Sequence, residues 1–256
     1  VNNPEFVYEG KTLVHIDIDS AEIGKNIGFN IPIVGDAKAI LKEFNRSDLK
    51  TDHSEWIREL SEIGDPESKR KFRADRYADP AGFVSLLSKK MEDDAIYVAD
   101  VGQNQMFSCG NYHSKNGKFL TSGGMGTMGY SIPAAMGAKK ADPGRQVVAV
   151  CGDGSFQMMM MELATIKQYD IPVKIVVITN GYLGLVREYQ HNTYKGNYSL
   201  VDLTGNPDLK KLSAAYDIPY VKVGSMKGIE KKIDDFLLHD GTMLMELVID
   251  PMDTVK

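Results

Sequence analysis

From Tyr77 onward the chain alternates two patterns: short unbroken runs of Val, Ile and Leu, and stretches whose apolar residues recur at helical spacing. The strand candidates fall at 95–101, 146–151, 173–179, 220–223 and 244–249, and the helices at 80–91, 132–140, 156–169, 209–216 and 229–239. A strand that reads as a continuous apolar run is buried on both faces, so helices must cover both sides of a parallel sheet. The spacing predicts a doubly wound α/β domain over residues 77–256. A smaller region, 1–45, precedes it, with β-branched runs at 13–19 and 31–36 and a helical pattern at 37–44. Between the two, 46–76 is dense in charge. Trp56, Ile57 and Leu60 give that stretch one amphipathic helix, and it reads as a linker.

Composition narrows the partners. A net charge of −5 leaves no basic footprint for a nucleic acid. No apolar run approaches the roughly 20 residues of a membrane span. The two cysteines, Cys109 and Cys151, stand in no metal-type spacing and read as reduced thiols of a cytoplasmic protein. The chain opens at Val1, before Asn2-Asn3-Pro4, and is expected to be a piece of something longer.

The chemistry starts where a strand ends. The run 147–151 passes directly into Gly152-Asp153-Gly154-Ser155, and a helix follows. Glycines there permit a sharp turn and close approach of a ligand, and free N–H groups at a helix start favour an anion. Asp153 is out of place beside an anion unless a cation lies between them. One crossover later the strand 173–179 ends at Asn180-Gly181-Tyr182. Parallel strands joined by a crossover end at the same sheet edge, which sets Asp153 and Asn180 side by side. Magnesium accepts few protein oxygens and fills its octahedron with water and phosphate oxygens. Asp153, Asn180 and a turn carbonyl such as that of Tyr182 leave room for two diphosphate oxygens and a water. Gly-Asp-Gly alone is most often a plain turn; its pairing with Asn-Gly one crossover on sets this one apart.

These residues resemble the signature of thiamine-diphosphate (ThDP) enzymes. The segments 101–106, 121–129 and 162–166 are similar to the large catalytic subunit of acetolactate (acetohydroxyacid) synthases, and 15–26 resembles the end of that family's central FAD-carrying domain. The resemblance implies that Asp153 and Asn180 bind Mg²⁺ by side chains and Tyr182 by its carbonyl. It places Gln103, Asn104, Gly154 and Ser155 at the diphosphate, with Gly181 in the metal turn. Gly126, Thr127 and Met128 would hold the aminopyrimidine, and Leu183, Gly184 and Leu185 the pocket wall. Asp17, Ile18, Asp36 and Ala37 match positions that touch FAD. The implied reaction is decarboxylation of pyruvate and carboligation to pyruvate or 2-oxobutyrate, in a homodimer or tetramer with a regulatory small subunit. The glutamate that activates the cofactor in the family lies on an N-terminal domain that nothing in residues 1–256 resembles, so this chain alone is expected to be inactive.

The sequence also departs from the family pattern. Asn104 stands where the synthases have His, Thr179 replaces the first of two Asn residues, and Met159 and Met161 replace Asn and Gln. Tyr189 takes the place of a Trp at the mouth of the substrate channel. The run Met158–Met161 covers about one helical turn, so its members cannot share one site, and core packing is the expected role. Gly124-Met125-Gly126-Thr127-Met128-Gly129 fits a dinucleotide pattern, but that motif needs a strong strand before it and a suitably placed acid after it. Residues 118–122 read as too weak a strand, and Asp142 lies in a Pro-Gly turn. Another ThDP-dependent decarboxylase or carboligase, and a non-catalytic ThDP-binding module, remain as alternatives.

Overall fold

The computed structural model describes residues 10–47, 51–63 and 76–255. The chain divides into two compact units, 1–68 and 69–256. In the first, β1 (Val14–Asp17) and β2 (Ile31–Val34) pair in parallel, with Asp17 opposite Val34. Asp36 then caps α1 (Ala37–Arg46), its carboxylate accepting the Ala39 N–H at 2.8 Å. The helix expected around Trp56 forms as α2 (Ser54–Ile63), with every side chain exposed.

The second unit is built on six parallel strands. In chain order its elements are α3 (Pro80–Lys90), β3 (Ile96–Ala99), α4 (Gln103–Asn111), β4 (Lys118–Thr121), α5 (Ser131–Ala141) and β5 (Val147–Gly152). There follow α6 (Asp153–Met159), α7 (Glu162–Tyr169), β6 (Lys174–Thr179), α8 (Gly184–Tyr194), α9 (Leu209–Ala215), β7 (Tyr220–Val223), α10 (Ile229–Leu238) and β8 (Met243–Val248). The sheet order is β4-β3-β5-β6-β8-β7. Alternate residues of β5 feed separate cores: Val148 and Val150 pack with Phe83, Leu87, Ile233 and Phe236, whereas Val147, Ala149 and Cys151 pack with Ile132, Phe156, Leu163 and Ile166. Each fully buried aliphatic side chain contributes roughly 1.5–3 kcal/mol. Two cores, one per face, are what the unbroken apolar runs require, and the doubly wound α/β architecture stands.

Three local readings change. Residues 118–121 form a true strand at the sheet edge, held by Phe119 and Leu120 packing against the two cores. The single helix expected over 156–169 begins earlier and is broken. At Met160 and Met161 it tightens to i→i+3 bonds, Leu163 N–H to Met160 O and Ala164 N–H to Met161 O, and restarts as α7. Met158 and Met161 are exposed, so the methionine run is not a core feature as a whole. Cys109 and Cys151 are both free. Among the described residues no helix is long and apolar enough to cross a membrane.

Candidate functional site

From β3 the chain moves outward to β4, whereas from β5 it moves the other way to β6. Such a reversal opens a crevice beyond the carboxyl ends of the two strands, where open α/β sheets bind ligands. The crevice here lies between 100–104, after β3, and 152–155, after β5. A cavity of about 120 Å³ occupies it, lined by Gln103, Asn104, Met128, Asp153, Gly154 and Ser155. Asn180, Tyr182, Leu183, Gly184 and Leu185 close it from the end of β6.

Asp153 is the first residue of α6 and only 5% exposed. Its Oδ2 accepts the Gly181 N–H and the Asn206 amide, both at 2.8 Å, and Oδ1 accepts the Gly154 N–H at 3.1 Å. Burial pushes this carboxyl above the usual carboxylate range, and those hydrogen bonds pull it back. A cation beside it would pull in the same direction as the hydrogen bonds. Gly181 reaches Asp153 at φ +74°, a conformation that favours glycine. The turn is pinned from outside: Leu183 N–H donates to Val201 O, and Leu203 N–H to Gly181 O. Asn180 donates its amide to Gln103 Oε1 at 3.1 Å, and its Oδ1 accepts the Tyr182 N–H. At Gly184 a Cβ would sit 2.0 Å from Gln103 Oε1 and 2.7 Å from Asn180 Nδ2, so only glycine leaves space for that contact.

The remaining polar side chains of the crevice are tied to the backbone that follows β3. Asn104 gives its amide to Asp100 O, leaving Oδ1 buried without a partner among the described residues. Ser155 is held by Val101 O at 3.1 Å. Among the described residues no cluster of three or more His, Cys, Asp or Glu side chains could hold a metal. Any cation here must accept one carboxylate and take its other ligands from neutral oxygens and phosphate, which is the habit of Mg²⁺.

Some expected residues lie elsewhere. Gly126 and Thr127 are exposed in the loop before α5, where both their N–H groups bond to Ser122. Tyr189 lies on α8 but is 57% exposed and edge-on to Tyr194 rather than lining the cavity. Asp17, Ile18, Asp36 and Ala37 belong to the first unit, at and just beyond the carboxyl ends of β1 and β2. A larger opening of about 710 Å³ shares Asp153 but is lined by Tyr220, Lys222 and Glu246, the first two both bonded to the Glu246 carboxylate.

Four contributors escaped the sequence reading. Asp100, 1% exposed, accepts the Val101, Gly129 and Ser131 N–H groups at 2.7–2.9 Å. It thereby occupies the amino end of α5, the donors a dinucleotide pyrophosphate would need. The strand and helix flanking the Gly124–Gly129 pattern do form, yet this carboxylate blocks the dinucleotide reading. Asn206 holds Asp153. Arg187, 3% exposed, lies over the Tyr182 ring and donates to Met252 Sδ and Asp253 O, fastening the strap 250–255 that follows β8. Glu188 accepts from Gln103 Nε2 at 2.8 Å and from Val255 N–H.

The chain is similar to known proteins over most of its length. Residues 100–247 match the family described as "Thiamine pyrophosphate enzyme, C-terminal TPP binding domain". The acetolactate synthase large subunit of Lactococcus lactis subsp. lactis (strain IL1403) is 37% identical over 100% of this chain and 44% of its own length. The acetolactate synthase isozyme 2 large subunit of Escherichia coli (strain K12) is 34% identical over 95% of this chain and 44% of its own. A solved structure, the thiamine diphosphate-dependent 4-hydroxybenzoylformate decarboxylase of Rhodococcus jostii RHA1, superimposes with a TM-score of 0.79 at 26% identity, covering 94% of this chain and 44% of that one. The chain thus spans less than half the length of the relatives it matches. With its crevice, its Asp153–Asn180 pair and these similarities together, the chain belongs to the thiamine pyrophosphate enzymes and carries their C-terminal TPP-binding domain.

Proposed function

We propose that the protein is the large subunit of an acetolactate synthase, which decarboxylates pyruvate and joins the two-carbon unit to pyruvate or 2-oxobutyrate. The carrying observation is the convergence of Asp153, Asn180 and Tyr182 on one crevice that also presents Gln103, Gly154 and Ser155. Identity of 33–38% to acetolactate synthase large subunits favours this reading over the decarboxylase that supplies the fold match at 26%.

In this proposal the Asp153 and Asn180 side chains and the Tyr182 carbonyl would hold Mg²⁺, whose charge would offset that of the ThDP diphosphate. Gln103, Asn104, Gly154 and Ser155 surround the diphosphate. Met128, with the backbone of Gly126 and Thr127, faces the aminopyrimidine, and Leu183, Gly184 and Leu185 form the wall. When bound, ThDP takes up the negative charge released as a 2-oxo acid loses CO₂. The protein's part is to bind the anion through one cation and to keep water from the crevice. Residues 77–256 form the ThDP domain, 46–76 link it, and 1–45 belong to a central domain in which Asp17, Ile18, Asp36 and Ala37 face FAD. A homodimer or tetramer in the cytoplasm, with a regulatory small subunit, completes the proposal.

The test is calorimetry of ThDP binding with and without Mg²⁺ on the intact protein. Asp153→Ala should abolish Mg²⁺-dependent binding, since it removes the one charged ligand, and Asn180→Ala should weaken it less. Unchanged affinity in the Asp153 variant overturns the site. Acceptor choice is tested separately. Tyr189→Trp should raise the yield of 2-aceto-2-hydroxybutyrate over 2-acetolactate in competition assays, and Tyr189→Ala should lower it. One methylene is worth only about 1–3 kcal/mol of discrimination, so the shift should be measurable but bounded. Identical product ratios in all three proteins remove Tyr189 from the channel.

A further inference from the structure

Glu188 does not line the crevice, and no feature of the ThDP pattern points to it. It faces Gln103, whose amide has two different ends. One end meets only acceptors: the Glu188 carboxylate at 2.8 Å and the Asp253 carbonyl at 2.9 Å. Both amide hydrogens of Gln103 are therefore spent on that side, and its Oε1 must point the other way. There it meets Asn180, which can answer an oxygen only with its NH₂ group, at 3.1 Å. The Asn180 oxygen is left turned toward the Gly181–Tyr182 backbone, where it accepts the Tyr182 N–H at 2.9 Å. The bare Cα of Gly184 leaves room for Gln103 and Asn180 to meet. The strap holds the other end of the relay, because Val255 N–H bonds the Glu188 carboxylate at 3.1–3.2 Å.

We propose that Glu188 is a positioning residue: as an acceptor it sets the polarity of the Gln103 amide, which in turn aims the Asn180 oxygen at the cation site. The inference rests on the reading of Asn180 as a cation ligand. Without Glu188, the Asp253 carbonyl alone holds the Gln103 amide in this sense; wherever the amide reverses, Asn180 follows and an NH₂ group faces the cation. Acceptance of a hydrogen bond, rather than negative charge, is what position 188 supplies.

The experiment is titration of Mg²⁺ into the intact protein in the presence of ThDP, followed by calorimetry. Glu188→Ala should weaken the apparent Mg²⁺ affinity about tenfold, the lower end of what loss of an outer-shell partner costs. Glu188→Gln, which retains an acceptor oxygen, should bind nearly as wild type does. In an Asn180→Ala background Glu188→Ala should have no further effect, because the residue it acts through is gone. Should Glu188→Ala not fold, Glu188→Asp, whose carboxylate stops one methylene short of Gln103, carries the same comparison. Wild-type affinity in Glu188→Ala beside a weakened Asn180→Ala overturns the relay and leaves the cation site standing. An equal loss in the Asn180→Ala background, or a Gln variant as weak as Ala, also overturns it. Asn180→Ala at wild-type affinity overturns the cation assignment itself, and the relay with it.

Discussion

Thr179 ends β6 immediately before Asn180, and its hydroxyl oxygen is sealed from solvent with no partner among the described residues. A buried hydroxyl without a partner carries a desolvation cost, and an apolar group of the same shape removes it. Thr179→Val should therefore leave stability unchanged or raise it by up to about 1 kcal/mol, read from the midpoint of urea unfolding. A clear loss would mean that the hydroxyl is bonded in solution. At this scale the site was half legible. Asp153 and Asn180 could be placed because each follows a recognisable strand end. Asp100, Asn206 and Glu188 could not, because the groups they bond lie 29 and 31, 53, and 85 positions away and only the folded sheet brings them together.

Elements were legible where one pattern dominated. β5 and β6 are unbroken apolar runs and appeared within a residue of their true ends. Helix α4 was missed because three of the four residues on its buried face, Gln103, Asn104 and Ser108, are polar, so the face shows no apolar stripe. β4 was underrated for a similar reason: it is four residues long and begins with an exposed lysine. What fixes the following helix is also non-local. Helix α5 has no capping side chain on its own N-cap residue, Tyr130, and depends on Asp100 from the end of β3. Asp100→Ala strands buried N–H groups of Gly129 and Ser131, each costing about 1–3 kcal/mol. The variant should lose about 3 kcal/mol or more by urea unfolding, and its loop at 122–129 should become more open to proteolysis. A loss below about 1 kcal/mol would show that this carboxylate is not what holds the loop.

In the whole molecule, sheet class followed from sequence, but strand order did not, since an apolar run does not name its neighbours. β8 is the last of the described strands in chain order, yet it lies inside the sheet between β6 and β7. On the ribosome, β7 emerges while its sheet neighbour β8 is still unmade, and it must wait as an unpaired segment until β8 follows. Later still comes the strap that carries the Asp253 carbonyl to Gln103. Strands β5 and β6, bearing Asp153 and Asn180, can meet much earlier, since each needs only chain already synthesised. A nascent chain can thus hold Asp153 and Asn180 beside each other before the strap steadies Gln103, so the crevice is completed only once β8 and residues 250–255 have been made.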